Sequence, residues 1–261
     1  MMRGKYWALI LGGSSGLGLA TAKKLARHGY HVLIMHRDRR AAMDEIEKDF
    51  TEIRRYGNDF LSMNVDVLNA DKRAGIISDI QQQLPQGHLI KVMVHSVAKG
   101  TLKPMYSRSE ASLSDTDFRI TFNAMALSLY DWTKALVTAD LFAEDTRIVS
   151  FTSEGNTKAL PNYSAVSVAK VALEALTRSI ALEFAPIGIK ANCIQAGITM
   201  TKSLSMIPGF EKIKENALKR NPQNRLTLPE DVANAVYLLT MDEAKWITGT
   251  VIKVDGGESL I

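Results

Sequence analysis

The sequence predicts a single doubly wound α/β domain: an open, parallel, seven-stranded sheet with helices on both faces. Three observations predict it. Seven short runs of aliphatic and β-branched residues alternate with longer amphipathic segments, and that alternation gives parallel strands joined by right-handed helical crossovers. A glycine cluster sits between the first such run and the first amphipathic segment, where the chain must turn from strand to helix. The 261 residues, 46% of them hydrophobic, show no linker, low-complexity tract or internal repeat. One domain over residues 1–261 is therefore the simplest organisation.

In chain order, strands are expected at Tyr6–Leu11, His31–His36, Phe60–Asn64, Ile90–Val94, Arg147–Phe151, Ile189–Gln195 and Val251–Val254, each an apolar run of strand length. Helices are expected between them at Gly16–His28, Arg39–Tyr56, Ala70–Leu84, Ser114–Ala139, Ser164–Phe184, near Glu211–Leu218, and at Pro229–Leu239. Pro229 followed by Glu230 and Asp231 is a good helix start. The Ser164–Phe184 helix carries Val168, Val171, Leu173, Leu176 and Ile180 on more than one face, so it is deeply buried or packs against a second subunit.

Composition excludes several function classes. The formal net charge is +4 and the basic residues are dispersed, with no run of five that would mark a nucleic-acid surface. Cys193 is the only cysteine, so no internal disulfide can form and a reducing compartment fits. It lies in the strand-like stretch IKANCIQ, which reads as a buried, inert thiol. No segment has eighteen consecutive apolar residues, so no membrane-spanning helix is expected. The basic-then-apolar start MMRGKYWALILGG superficially resembles a signal peptide, but the apolar run is short and leads straight into a glycine turn. A first strand accounts for it, and a cytoplasmic location is expected. No metal site is expected.

The segment Leu11–Gly18, LGGSSGLG, places Gly12, Gly16 and Gly18 between the first strand and the first helix, with Ser14, Ser15 and Leu17 among them. A dinucleotide pyrophosphate approaches the backbone closely at such a turn, and the helix N-terminus offers free N–H groups and a positive dipole end. The second strand ends without the acidic residue that would bond the adenosine ribose of NAD; it runs instead into Arg37, Asp38, Arg39 and Arg40. A guanidinium there can grip the 2′-phosphate of NADP in two-pronged fashion. NADPH is therefore expected over NADH, with Arg37 the main contact and Asp38 pointing elsewhere. Asn64-Val65-Asp66-Val67 closes the third strand, where Asp66 and Val67 can meet the adenine or cap the next helix.

Taken together these motifs resemble the short-chain dehydrogenase/reductase family, a Rossmann-type fold, over nearly the whole chain. LGGSSGLG resembles its glycine loop with Leu11 in place of threonine, and Val254-Asp255-Gly256-Gly257 resembles its C-terminal strand and turn. Asn123, in TFNAMAL, resembles the asparagine of its long central helix, and the resemblance implies that this residue holds a water chain behind Lys170. Most members carry Tyr-x-x-x-Lys, but the position four before Lys170 is Val166, which cannot donate a proton. The nearest tyrosine, Tyr163, lies seven residues before Lys170. That spacing, together with ALPNY, QAGITMT and His95-Ser96-Val97-Ala98, resembles the divergent branch, the enoyl-acyl-carrier-protein reductases. Ser96, Val97 and Ala98, and Gly197, Thr199 and Thr201 beyond the sixth strand, are then expected beside the cofactor. His95 is expected to be hydrogen-bonded scaffolding, not a general base.

The spacing has a physical rationale. In a ketone, the proton goes to an oxygen one bond, about 1.2 Å, from the carbon that takes the hydride. In an enoyl thioester the hydride goes to the β-carbon, and the oxygen that becomes an enolate is three bonds away. Seven residues are roughly two helical turns, about 10.5 Å. Shifting the phenol by three residues therefore moves it towards the mouth of the site, as a conjugated substrate requires. Tyr163 is expected to bond the enolate oxygen, and Lys170 to anchor the nicotinamide ribose and lower the phenol's pKa. Ser153, ten residues before Tyr163, matches the serine of the ordinary branch and can be a second donor or a plain strand-end hydroxyl.

The segment Lys202–Leu218, containing Met206 and Pro208-Gly209 and preceded by Met200, resembles the family's mobile lid, expected near residues 199–220. Lys202, Lys212, Lys214, Lys219 and Arg220 would suit an acidic acyl carrier protein. The resemblance implies a homotetramer built on the Ser164–Phe184 and Ser114–Ala139 helices, with a dimer as the fallback. The expected activity is NADPH-dependent reduction of the 2,3 double bond of a trans-2-enoyl thioester in fatty-acid synthesis. The alternatives are a short-chain carbonyl or hydroxyl oxidoreductase, such as a 3-oxoacyl-thioester reductase, and a non-catalytic NADPH-binding sensor.

Overall fold

The computed structural model describes residues 4–201, 204 and 209–261. Seven parallel strands form one sheet: β1 (Tyr6–Leu11), β2 (His31–His36), β3 (Phe60–Asn64), β4 (Leu89–His95), β5 (Phe142–Thr152), β6 (Ile189–Ala196) and β7 (Val251–Val254). Their order is β3-β2-β1-β4-β5-β6-β7. The chain winds outward from β1 to β3, crosses back to β4, and winds outward again. The reversal between β1 and β4 is the switch point at which such sheets open a crevice at their carboxyl ends.

Eight α-helices are described: α1 (Gly16–Arg27), α2 (Met43–Arg54), α3 (Ala70–Gln83), α4 (Asp115–Phe122), α5 (Ser128–Thr138), α6 (Ser164–Glu183), α7 (Phe210–Arg220) and α8 (Pro229–Leu239). Side chains alternate across each strand, so β1 sends Ala8 and Ile10 to one face and Leu9 and Leu11 to the other. The first face packs on α1, α2 and α8 through Leu25, Phe50 and Val236. The second packs on α3, α5 and α6 through Ile80, Trp132 and Leu173. Both faces are covered, which is why the strands read as continuous apolar runs. Each fully buried Leu or Ile contributes roughly 1.5–3 kcal/mol.

Most boundaries agree with the sequence reading within one or two residues, and three elements differ. β5 starts at Phe142, five residues before the expected Arg147, because Phe142 pairs with Ile90 and a register shift carries the polar stretch through to the pairing of Arg147 with Val92. The expected helix Arg39–Tyr56 opens as a 3₁₀ turn, Arg40–Ala42, before α2. The expected helix Ser114–Ala139 is α4, a π-helical turn at Asn123–Leu127, and α5. Ser114 caps α4 in a reciprocal box with Asp117. The predicted start of α8 is a helix start in the structure, with Pro229 in the first turn and the Asp231 carboxylate accepting from Leu228 N–H at 2.9 Å.

Candidate active site

A cleft of about 1090 Å³ opens over the carboxyl ends of the central strands. At one end lies the glycine loop. Gly12 and Gly16 have φ of +86° and +56°, and a Cβ on Gly12 would stand 2.6 Å from the Ser96 carbonyl oxygen. Gly12, Ser14, Ser15, Gly16 and Leu17 line the cleft. Gly18 does not: a Cβ there would sit 2.2 Å from Gly12 O, so this glycine lets α1 pack against the loop rather than meeting a ligand. Ser15 precedes α1 without capping it through its side chain, and the first turn carries no acidic residue. The positive end of α1 is thus left for an anion.

Asp38 bonds His36 Nδ1 at 2.9 Å and also lines the cleft beside Arg37. Arg37, its side chain 59% exposed, donates from Nη1 to Asp66 Oδ2 at 2.7 Å across the β2 and β3 ends. Burial disfavours ionised Asp66, but the Leu68 N–H and the Arg37 guanidinium outweigh it and hold the carboxyl below its ordinary value. Arg37, Asp66 and Val67 line the cleft, whereas Arg39 and Arg40 do not. The cap of α3 is Asn69, which accepts from Lys72 N–H, so Asp66 is spared that role. Ser96, Val97, Ala98, Gly197, Thr199 and Thr201 line the middle of the cleft. Thr199 Oγ1 donates to Gly197 O at 2.9 Å, which ties its hydroxyl into its own loop. The Thr201 methyl lies 3.4 Å from where a Gly16 Cβ would stand.

The far end holds the candidate chemistry. Tyr163, immediately before α6, brings its Oη to 3.2 Å from Ser153 Oγ at the end of β5. Gly155 lies under its ring, where a Cβ would come within 2.5 Å of Tyr163 Cε1. Burial raises the Tyr163 pKa above its ordinary 10, with the Ser153 bond pulling the other way. The phenol is therefore protonated at neutral pH. The expectation that Lys170 lowers this pKa is not met. Lys170 Nζ donates to the Phe151 carbonyl at 2.7 Å, and Ser153 is what eases the phenol's ionisation. Burial lowers Lys170 to about 8. Val166 is 4% exposed and clusters with Met125, so the position one turn from Lys170 holds packing, not a donor.

Two candidates behind Lys170 fall differently. His95 is buried, with Nε2 2.7 Å from Ser128 Oγ, and that hydroxyl donates to Ala124 O. Burial, then the Lys170 charge, depress His95 to about 3. It is neutral scaffolding, as the sequence suggests. Asn123 is exposed and does not line the cleft, which corrects its expected place behind Lys170. Thr121 and Met125, four apart, face α6 across Gly100. Asn123 lies halfway between them in sequence and points away.

Of the expected lid, Lys202, Met206 and Pro208 lie outside the described residues; Met200 is exposed and α7 lies beside the cleft. Arg220, expected on a carrier-docking face, is instead engaged inward. Its guanidinium makes two bonds to Glu154, at 3.0 and 2.9 Å, and one to Glu258 at 3.0 Å. Glu258, 2% exposed, also accepts from Ile198 N–H. Sequence reasoning missed this clamp and Gly155; nothing local in SEGN or GGES announces a partner so distant along the chain. Among the described residues no group of three metal-ligating side chains occurs, and no helix is long and apolar enough to cross a membrane.

The cleft, the glycine loop and the uncapped α1 fit a dinucleotide, and the buried Lys170 and half-buried Tyr163 lie at its far end. This combination defines a nicotinamide-dinucleotide oxidoreductase. The chain belongs to the short-chain dehydrogenase/reductase family, and the family profile described as "Enoyl-(Acyl carrier protein) reductase" matches residues 12–259. It is 29% identical to the "Uncharacterized oxidoreductase YjdA" of Bacillus subtilis, over 96% of this chain and 95% of that protein. It is 26% identical to the 1-cyclohexenylcarbonyl-CoA reductase of Streptomyces collinus, over 97% of this chain and 87% of that protein. Among solved structures, the enoyl-[acyl-carrier-protein] reductase (NADH) from Aquifex aeolicus superposes with a TM-score of 0.82 at 26% identity, covering 98% of this chain and 97% of that one.

Proposed function

We propose that the protein reduces the 2,3 double bond of a trans-2-enoyl thioester with NADPH. One observation carries this reading: the only phenol placed between Ser153 and α6 is Tyr163, two helical turns from Lys170, and the position one turn away is the buried Val166. When bound, the nicotinamide supplies a hydride to the β-carbon. Tyr163, protonated at neutral pH, donates to the thioester oxygen and holds the enolate that develops there. With the Tyr163 proton given to the substrate, the Ser153 hydroxyl 3.2 Å away is left to donate to the Tyr163 oxygen, which strengthens that donor. The enolate's α-carbon then takes a proton from solvent, which completes the reduction and leaves Tyr163 protonated. Lys170, fixed by Phe151 O, presents its remaining protons to the ribose. The names of the Streptomyces and Aquifex proteins, both reductases of acyl thioesters, support the substrate class.

Arg37 at the adenosine end supports NADPH over NADH, with the 2′-phosphate competing with Asp66 for the guanidinium. Lys158, Lys212 and Lys219 along the cleft support an acidic acyl carrier as the partner. Val168 and Val171, exposed on α6, and Ile120, exposed on α4, support a homotetramer built on these helices. Ser153 favours a second reading, reduction of a 3-oxoacyl thioester, because a serine at this strand end also serves carbonyl reduction in the ordinary branch of the family. Following NADPH oxidation with crotonyl thioester, acetoacetyl thioester and no acyl substrate decides between them. Crotonyl turnover is expected. Acetoacetyl turnover alone would establish the second reading, and no turnover with either would point to a sensor.

A further inference from the structure

Three side chains of α6 grip the end of β5 and the turn after it. Ser167 Oγ donates to Gly155 O at 2.6 Å, and Lys170 Nζ donates to Phe151 O at 2.7 Å. Glu174 Oε1 accepts from Thr152 Oγ1 at 2.6 Å and from Asn156 Nδ2. Residues 167, 170 and 174 follow at i, i+3 and i+7, so they share one helical face. Their partners at 151, 152, 155 and 156 bracket Ser153 on both sides. The Asn156 backbone N–H donates to Ser153 O at 3.1 Å, and its side chain is bonded by Glu174 alone, since its buried Oδ1 has no partner among the described residues. Tyr163 heads the same helix. The grip of α6 on this turn therefore fixes how Ser153 meets the phenol. Glu174 does not line the cleft, yet both neighbours of the Ser153 turn hang from one of its oxygens.

We infer that Glu174 is a positioning residue, which holds the Ser153 turn in register with Tyr163. It rests on the reading of Ser153 and Tyr163 as the pair that meets the substrate oxygen. Hydrogen bonds to a carboxylate are short and directional, so one such group can fix two donors that belong to different parts of a turn. Ser167, Lys170 and the Arg220–Glu154 pair hold this turn at Gly155 O, Phe151 O and the Glu154 carboxylate, but of the residues that grip it only Glu174 bonds the side chains of Thr152 and Asn156.

The test uses the full-length protein and the variants Glu174→Ala, Glu174→Gln and Thr152→Val. Three quantities are measured: NADPH affinity, kcat and KM with crotonyl thioester, and the titration of the Tyr163 phenol by NMR of ¹³Cζ-tyrosine, assigned with Tyr163→Phe. Glu174→Ala is expected to lower kcat roughly ten- to a hundredfold, the scale of a misplaced reacting group, with NADPH affinity unchanged. Its Tyr163 phenol should titrate at higher pH than in the parent, because the Ser153 hydroxyl no longer supports the phenolate. Glu174→Gln keeps an acceptor oxygen for both donors and should restore most of the turnover; Thr152→Val loses one donor and should fall between. Unchanged kcat and unchanged phenol titration in Glu174→Ala would overturn the inference. So would a Glu174→Gln enzyme as slow as Glu174→Ala, which would assign the effect to charge on Lys170. If Glu174→Ala does not fold, the other two variants decide. If no variant, the parent included, turns over crotonyl thioester, the enoyl reading fails while the phenol titration still decides the role of Glu174.

Discussion

Lys170 and His95 are both buried residues lining the cleft, and burial acts on both in the same sense by disfavouring the charged form. Both are bases whose folded pKa lies below the unfolded one, so the unfolded state binds more protons and stability rises with pH. For His95 the window runs from about 3 to 6.5, and for Lys170 from about 8 to 10.5. Under the proposed role of Lys170 as the ribose anchor, activity moves the other way, because the ammonium is the donating form. The kcat/KM profile should therefore fall as pH rises through about 8 and show no His95 inflection between about 5 and 7. An acid limb near 6.5 that vanishes in His95→Gln would contradict this. Tyr163, Lys170 and Ser153 were visible through their resemblance to the family's motifs, with the seven-residue spacing from Tyr163 to Lys170 pointing to its divergent branch. Gly155 was not visible, since the ring it supports belongs to a residue eight positions on. Gly18 and Asn123 were visible as motif letters but not as directions, and direction depends on helix phase.

At the scale of elements, helices carry most of what positions the site, and two effects hide them from a linear reading. Helical phase is one: the π-helical turn at Asn123–Leu127 interrupts an apolar pattern that otherwise runs from Ser114 to Ala139, and no proline or glycine announces it. Long-range ion pairing is the other. Arg220, in the last turn of α7, joins the Ser153–Asn156 turn through Glu154 and the C-terminal turn through Glu258. In the sequence it is one basic residue among several on a helix. Arg220→Met should leave the buried Glu258 carboxylate without its cation and cost about 1–3 kcal/mol. Denaturant unfolding would read that loss, and KM for the thioester should rise as α7 loses its hold on the cleft. Unchanged stability and KM would show that the clamp is incidental.

For the whole molecule, the alternation of apolar runs was enough to predict seven parallel strands and helices on both faces, because the central strands are covered on both faces and read as apolar runs. The glycine loop after β1 likewise predicted the end of the cleft where a dinucleotide enters. The polar start of β5 escaped, since Glu144 and Asp145 lie in the register shift between the pairings of Phe142 with Ile90 and Arg147 with Val92, where no apolar run marks a strand. The proposed chemistry turns on a phenol held by Ser153 at the far end of that cleft, two turns from the lysine. The most direct measurement is single-turnover NADPH oxidation with crotonyl thioester by Tyr163→Phe, with NADPH affinity measured in parallel. A loss of roughly 10²- to 10⁴-fold in the chemical step, at unchanged NADPH affinity, is the result the account predicts. Double-bond reduction at the parent rate would contradict it.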